Sequence, residues 1–425
     1  MSATERRTLD QWLAWIERLH PRSIELGLDR VRAVFKRLAL LPLPFAVFTV
    51  AGTNGKGSTV AMLDAILRAG GYRVGTYTSP HIVRYNERVR LHDRDATNTE
   101  LCEAFARVEA VRGEIPLTYF EFGTLAALQL LVSAHLDVAV LEVGMGGRLD
   151  AVNAIDADCA IVTSVDIDHV QWLGPTREEI GREKAGIYRS GRPAICGDEH
   201  PPRSLVEYAA DIDAALAVRG RDFDFERAAT TDAGWVWRSR TQVRSGLPVP
   251  TLRGDHQFAN AATALMALET MADRLPVSQA HIRDGLFQAR ASGRFQVVPG
   301  SPMLILDVAH NAEAARSLAR TLAQMPCGGR TIAVFGMLAD KDVAAVTQAM
   351  RGVVDRWYVF TLALPRGARA NELRRVLTAQ GIDDVQEFDA PVAAHTAAVA
   401  AAQPSDRIVV FGSFYTVGDI LARLA

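Results

Sequence analysis

Cysteine is scarce in this 425-residue chain: Cys102, Cys159, Cys196 and Cys327 are scattered without metal-type spacing. That excludes a disulfide scaffold and a zinc-finger arrangement. Three of the four sit in apolar stretches and read as buried thiols, which suits a reducing cytoplasm. An excess of one charge is lacking too. A net charge of −2 leaves no general attraction to a nucleic-acid backbone or an anionic membrane. No apolar run is long enough to span a bilayer. The opening stretch, MSATERRTLDQWLAWIERLH, is charged and amphipathic and reads as neither signal peptide nor membrane span. Low-complexity tracts and short repeats are also missing. What remains is an ordinary globular composition, 49% hydrophobic and 23% charged, long enough for two or three domains with large cores.

Apolar runs alternate with helical patterns through most of the chain. VFTVAG (47–52) leads into a helix from about Ser58 to Ala69, and YRVGTYTS (72–79) reads as the next strand. An Ala/Leu-rich helix follows around 122–134. DVAVLEVG (137–144) and CAIVTSV (159–165) are nearly continuous apolar runs, as central strands of a parallel sheet covered on both faces require. The alternation predicts right-handed crossovers and a doubly wound α/β fold. Between about 198 and 250 the texture changes. RDFDF, GWVWRS and the proline-bounded LPVPTL predict short antiparallel strands. A helix resumes at 257–271, QARASGR (288–294) reads as a hinge, and MLILDVAH, RTIAVFGML, RWYVFTLAL and RIVVFGSF restart the βα rhythm. This predicts an N-terminal domain over 1–290 and a smaller α/β domain over 295–425, with a ligand in the cleft between them.

The stretch VAGTNGKGST (50–59) has the order strand, glycine-rich turn, lysine, hydroxyl, helix. Backbone N–H groups at a helix start attract anions, and Gly52, Gly55 and Gly57 allow close approach of phosphates. Lys56 is the point charge for the outer phosphates. Ser58 or Thr59 supplies a hydroxyl for phosphate or magnesium. A loop that only packs would not need all these parts in register. Gly57 nevertheless stands between lysine and serine, where the common phosphate loop has no gap.

Further candidates lie at other strand ends. Glu142 ends a buried strand, where a carboxylate needs a partner such as a hard divalent cation. His169 follows another strand beside Asp166 and Asp168, and reads either as a ligand or as a structural histidine. Ser79 ends a third strand. Lys184, between Glu179 and Glu183 and the helix end, reads by charge pattern as a solvated helix lysine. Asp307 and His310 in LDVAHNAEA face a helix start; a salt link for Asp307 and an N-cap role for Asn311 are the plain alternatives to ligand binding.

Taken together, these stretches resemble the folate branch of the Mur ligases, ATP-dependent enzymes that form amide bonds, and more narrowly its bifunctional bacterial members. The resemblance runs from about Trp12 to the C-terminus. It is carried by HPRSIELGLDRV (20–31), VAGTNGKGST, TSPHIVRYNERVRL (78–91), LTYFEFGTLAAL (117–128), LEVGMGGRLDAVN, DHVQWLGPTREEIGREKAGI, GDHQFANAATAL (254–265), SGRFQ, LDVAHN, FGMLADKD (335–342) and GSFYTVGDIL. The gap filled by Gly57 is this branch's usual form of the loop. The resemblance implies a Mur-ligase-like fold: a P-loop, doubly wound parallel-sheet ATPase domain followed by a smaller Rossmann-like α/β domain that serves glutamate ligation.

It also implies roles. Thr53, Asn54, Gly55 and Lys56, with Gly57 and Ser58, hold ATP phosphates. Asn260, Arg294, Asp307 and His310 complete the ATP site. Ser79, Glu142 and His169 bind magnesium, for which two sites are expected. Lys184 corresponds to a lysine N6-carboxylated in the family, which replaces the solvated-lysine reading with an anion near the second metal. Ile24, Glu25 and Leu26, with Thr118, Tyr119, Phe120, Glu121, Leu149, Asp150 and Ala151, match the pocket for the pterin-carrying substrate. Departures are mild: Ser58 where threonine occurs, Ala312 where proline is common, ASGR for Pro-Gly-Arg, and Val152 where the family often has threonine.

The implied activity is ATP-dependent ligation of L-glutamate to 7,8-dihydropteroate, and of further glutamates to reduced folates, through an acyl phosphate that closing domains shield from water. Lys56, Lys184, Glu142 and His169 are the implied catalytic group. The partners are these small molecules, with neither nucleic acid nor membrane, and the protein is expected as a cytoplasmic monomer. Three rivals remain at this stage. A peptidoglycan Mur ligase shares the reaction but not the HPRSIELGL and TYFEFGT stretches. A monofunctional folylpolyglutamate synthase lacks the first activity. A P-loop switch protein would need an effector surface that is not legible.

Overall fold

The computed structural model describes residues 7–22, 24–227 and 234–424. Residues 1–6 of the amphipathic opening stretch and Ser23 of HPRSIELGLDRV lie outside that set. The chain forms two compact units. The first comprises Met1–His81, Tyr85–Thr251 and Ala259–Ala289; the second comprises Ile82–Arg84, Leu252–Phe258 and Arg290–Ala425.

The first unit is built on eight strands: β1 (Ala46–Ala51), β2 (Val74–Tyr77), β3 (Val89–Leu91), β4 (Arg94–Asp95), β5 (Val138–Glu142), β6 (Cys159–Val162), β7 (Pro193–Cys196) and β8 (Ala215–Val218). Their order is β4-β3-β2-β5-β1-β6-β7-β8. All pairings are parallel except β2–β3 and β3–β4. Every residue of β5 and β6 is buried, which is why both read as nearly continuous apolar runs. Register pairs Val50 with Glu142, Ala51 with Val162 and Tyr77 with Leu141. The carboxyl ends of β1, β2, β5 and β6 therefore meet along one sheet edge, where parallel α/β sheets place their ligands.

Two helices matter for that edge. Lys56–Ala69 follows β1, and Gly285 of the helix Gln279–Gln288 lies against it so closely that an added Cβ would come 2.4 Å from the Ile66 Cα. Tyr119–Ser133 opens with a capping box between Thr118 and Glu121 and buries most of its surface. Its Phe122 packs with Trp12 and Phe105 in the unit's main core.

A small antiparallel sheet, β9 (Phe223–Arg227), β10 (Trp235–Ser239) and β11 (Val243–Leu247), has the order β11-β10-β9. Its outer strand is not LPVPTL, as the sequence pattern predicts, but the segment just before it. Pro248 and Pro250 have no N–H to give a ladder. The sheet is anchored by Trp235 and Trp237, both fully buried, with the Trp237 indole donating to the Ala262 carbonyl at 3.1 Å.

The second unit carries β12 (Gln296–Val298), β13 (Met303–Leu306), β14 (Thr331–Phe335), β15 (Arg356–Phe360), β16 (Val385–Phe388) and β17 (Arg407–Phe411). The order is β12-β13-β17-β14-β15-β16, parallel except at β12. Phe335, Phe411 and Trp357 meet at its centre, with ring centroids 4.8 Å and 5.6 Å from Phe335. Cys159 and Cys196 are buried, whereas Cys102 and Cys327 are half-buried, so two rather than three of the thiols are core groups; all four are free. Among the described residues no helix is long and apolar enough to cross a membrane.

Candidate active site

The loop after β1 is held by the segment after β6. Thr53 donates its N–H to Ser164 O at 2.8 Å, and its hydroxyl donates to Asp166 O and accepts from Asp166 N, both at 3.0 Å. Thr163 Oγ1 donates to Asn54 O at 2.5 Å, and Asn54 N donates to Ser164 Oγ at 3.1 Å. Two glycines are dictated by this fit. At Gly52 (φ +151°) a Cβ would sit 1.8 Å from Thr163 Oγ1; at Gly55 (φ +85°), the helix N-cap, it would sit 2.4 Å from Asn260 Oδ1. Lys56 folds over the loop and donates to Gly52 O at 2.9 Å and Thr53 O at 3.2 Å. Gly57 and Ser58 lie in the first helical turn. Thr59 is fully buried, and its hydroxyl is enclosed without a hydrogen-bond partner.

At the ends of β2 and β5, Ser79 donates its backbone N–H to Glu142 Oε2 at 3.3 Å. Glu142 is 4% exposed. That backbone contact brings Ser79, which carries a hydroxyl, next to a buried carboxylate, and both are oxygen donors of the type a hard cation takes. His169 caps the short helix Val170–Leu173 with φ +52°, donates its backbone N–H to the Asp168 carboxylate at 2.7 Å, and has its ring 3.9 Å from the same carboxylate. Among the described residues no cluster of three or more His, Cys, Asp or Glu side chains is arranged to hold a metal.

Lys184 is 3% exposed, not solvated as the charge pattern predicts. The cause is the loop after β5, which is woven onto its helix, Arg177–Ala185. Arg148 N donates to Glu183 O at 2.8 Å, Asn153 Nδ2 donates to Gly186 O at 3.0 Å, and a Cβ at Gly147 would meet Lys184 O at 2.9 Å.

The expected pterin pocket is assembled from three segments. Gly27 N donates to Leu149 O at 3.2 Å, which brings Ile24, Glu25 and Leu26 to the Leu149–Ala151 loop. Phe120 lies over Gly144, where an added Cβ would come 2.6 Å from the ring, and its centroid is 6.1 Å from that of Tyr77. Asp150 caps the turn Ala151–Ala154, accepting from Val152 N at 3.0 Å and from Met145 N at 2.9 Å. Burial pushes its carboxyl up to about 6, against those backbone N–H groups and the nearby charge of Lys56.

Glu25 and Glu121 do not face the pocket as bare carboxylates. Arg30 donates Nε to both Glu121 oxygens at 3.2 Å, Nη1 to Glu25 Oε1 at 2.8 Å and Nη2 to Glu25 O at 2.9 Å. Sequence reasoning passed over Arg30, although it lies within HPRSIELGLDRV and two carboxylates held inside a fold need a cation.

In the second unit, Asp307 follows β13 and accepts from Phe295 N and Ala309 N, each at 2.8 Å. Burial raises its pKa and the Arg294 charge opposes this. Phe414 joins the other two candidates, with its ring 5.3 Å from the Arg294 guanidinium and 5.8 Å from the His310 ring. His310 Nδ1 is 2.8 Å from Val308 O. Asn311 is an N-cap, accepting from Ala314 N at 2.9 Å.

Comparison with known proteins adds a lineage to this geometry. The Mur ligase middle domain matches residues 50–268, and the Mur ligase glutamate ligase domain matches 293–414. A dihydrofolate synthase/folylpolyglutamate synthase of Escherichia coli is 47% identical over 97% of this chain and 94% of its own length. Its namesake in Haemophilus influenzae is 38% identical over 97% of both. Escherichia coli FolC, solved in complex with DHPP and ADP, superposes with a TM-score of 0.93 at 46% identity, covering 98% of each chain. A bifunctional folylpolyglutamate synthase/dihydrofolate synthase holding Mn, AMPPNP and L-glutamate gives 0.91 at 47% identity, covering 100% of this chain and 99% of that one. With both domains matched in order and relatives alike across nearly its whole length, this chain belongs to the Mur ligase family, in the branch of the dihydrofolate synthases/folylpolyglutamate synthases.

Proposed function

We propose that this chain ligates L-glutamate to 7,8-dihydropteroate, giving dihydrofolate, and adds further glutamates to reduced folates, each time at the expense of ATP. One observation carries the reading. Glu142 touches Ser79, and Gly144, two residues on, lies under Phe120. The cation-binding oxygens and the aromatic platform therefore belong to one strand end. A flat pterin-benzoate acid resting on Phe120 brings its carboxylate to where phosphoryl transfer is assisted.

The substrate carboxylate attacks the γ-phosphoryl of ATP, and ADP leaves. The glutamate amine then attacks the acyl phosphate, and phosphate leaves. Both partners of the first step are anions, so the protein's part is charge neutralisation and positioning. Gly55, Gly57 and the helix N-terminus present N–H groups to the phosphates, Thr53 and Asn54 hold the loop around them through their bonds to Ser164, Lys56 turns from the loop carbonyls to the outer phosphates, and Ser58 supplies the hydroxyl that enclosed Thr59 does not. Asn260, Arg294, Asp307 and His310 take part in nucleotide binding. Ser79, Glu142 and His169 would hold magnesium, for which two sites are proposed, and the metal would supply Lewis-acid neutralisation of phosphoryl charge. Lys184, buried at the end of its helix, would be N6-carboxylated as its counterpart in the family is, and its carbamate would add an oxygen ligand. Phe120, Asp150 and the backbone of 24–26 and 149–151 hold the pterin-carrying substrate, with Thr118, Tyr119 and Glu121 shaping its wall.

The N-terminal ATPase domain ends near 290 and the glutamate-ligase domain runs from 295. One chain supplies loop, metal residues and pocket, which supports a working monomer, and four free thiols support a cytoplasmic location. The test is phosphate release dependent on L-glutamate, measured with dihydropteroate and separately with a reduced folate. Release with the folate alone would leave a monofunctional enzyme; release with neither would refute the reading.

A further inference from the structure

We infer that Arg88 receives the carboxylate of the acid substrate, an assignment that rests on the folate-ligase reading above. Arg88 directly precedes β3 and is 8% exposed. Its guanidinium carbon lies 5.2 Å from the Tyr85 ring centroid and 5.6 Å from that of Tyr119. Nε donates to Nδ1 of His81 at 2.9 Å, and the Tyr77 side chain is an electrostatic neighbour of the guanidinium. Among the described residues no carboxylate forms an ion pair with Arg88; its neighbours are the neutral phenols of Tyr77, Tyr85 and Tyr119. A guanidinium stays charged under all working conditions, and burying it without an anion is strongly unfavourable. Ring faces offset only part of that cost. A fold that keeps such a charge has an anion still to come.

The surroundings identify the anion. On one side Tyr77 leads to the aromatic platform, its ring centroid 6.1 Å from that of Phe120. Thr124 gives its hydroxyl proton to Phe120 O at 2.8 Å, so it accepts from Tyr77 at 3.2 Å, and Tyr77 neighbours Arg88. On the other side, His81 lies two residues after Ser79, whose N–H meets Glu142. Because Arg88 Nε can only donate, His81 Nδ1 is the acceptor and its proton sits on Nε2, a second donor. Arg88 thus neighbours the ring platform through Tyr77 and the Ser79 segment through His81. A substrate whose aromatic rings end in a carboxylate spans that interval, and the remaining guanidinium N–H groups match a carboxylate's two oxygens.

The test compares dihydropteroate with its carboxamide, which has the same rings and no charge. Binding is measured on the full-length protein by fluorescence titration, with ATP and metal omitted. A charged hydrogen bond of this type corresponds to about a 10- to 100-fold preference for the acid. Arg88→Met is expected to bind acid and amide alike and to raise KM for dihydropteroate by a similar factor, with KM for ATP unchanged within about twofold. Arg88→Lys is expected to keep part of the preference. A merely structural arginine would lower affinity for both compounds and leave their ratio intact. Retention of the acid preference in folded Arg88→Met overturns the inference. So does a wild-type protein that binds acid and amide equally, whether or not the variant folds. Lys56→Ala keeps the preference if Arg88 is its source and loses it if Lys56 is. Wild-type protein that makes no dihydrofolate at all would instead count against the folate-ligase reading.

Discussion

Adding one methyl group at Gly144 should damage substrate binding through Phe120 while leaving the fold and the nucleotide site intact. The residue is outside the left-handed region, so alanine adopts its backbone conformation without strain. The new Cβ would stand 2.6 Å from Phe120 Cζ and 2.9 Å from Cε2. Carbon contacts are comfortable at about 3.5–4.0 Å, so the ring must retreat by about 1 Å. A displaced ring forfeits much of the roughly 0.5–1.5 kcal/mol that well-placed aromatic contact adds beyond area burial. That converts to a rise of about 3- to 10-fold in KM for dihydropteroate, with kcat and KM for ATP unchanged within about twofold. Phe120→Ala should raise the same KM more, since the platform itself is gone. The double variant is decisive. Without the ring there is nothing for the new methyl to strike, so Gly144→Ala should cost nothing in the Phe120→Ala background, and the two effects should be strongly non-additive. Steady-state kinetics of all four proteins, varying each substrate in turn, reads this directly. Additive effects, or equal rises in KM for ATP and dihydropteroate, would refute the placement of Phe120 in the pocket.

Lys56→Ala should lower kcat by about 100- to 1000-fold in a protein that still melts cooperatively, since it removes a charge met most strongly in the transition state; near-normal turnover would sink its assignment. Glu142→Gln and His169→Ala should each raise the magnesium concentration giving half-maximal rate, and unchanged half-saturation in both would remove them from the metal site. Asp150 ionises at about 6, so its carboxylate is an unprotonated acceptor above that pH and loses this form below it; KM for dihydropteroate should climb as pH falls from 7 to 5, and the profile should be flat in Asp150→Asn. Lys184→Ala and Lys184→Arg should both be nearly inactive, the former partly rescued by acetate, whereas full activity in Lys184→Arg would show that a positive charge suffices and would end the carbamate proposal.

The parts of this structure that were legible in the sequence are those set by local rules. β5 and β6 are buried along their whole length and so are written as nearly continuous apolar runs. The phosphate loop announces itself because Gly52 and Gly55 have no room for a side chain and no ordinary backbone angle. The capping pair Thr118 and Glu121 marks a helix start. What was not legible depends on partners far along the chain. Lys184 has the flanking charges of a surface lysine, and only the loop around Gly147, nearly forty residues upstream, encloses it. Arg30 is one arginine among several in its helix until Glu121 is brought to it. The edge strand β11 contains glycine and charged residues, a weak strand signal, so the more apolar proline-bounded stretch beside it drew the prediction. The short segments 82–84 and 252–258 group with the second unit, although their neighbours in sequence belong to the first.

The departure at Val152 shows why a motif letter and a functional group are different things. A threonine there would suggest a hydroxyl for the substrate, and valine its loss. In this fold the side chain of residue 152 is buried at 1% exposure, turned into the core with Ala151 and Ile155. What the position contributes to the loop is its backbone N–H, given to Asp150 Oδ1 at 3.0 Å. Any residue except proline can make that bond, and a β-branched apolar side chain fills the same buried volume as threonine without a hydroxyl to satisfy. Asp150 then holds the turn through Val152 and Met145, with further lone pairs on its oxygens available to a ligand. Valine at 152 therefore preserves the geometry of the loop, and under the proposed function the polar recognition of the substrate there would fall to Asp150.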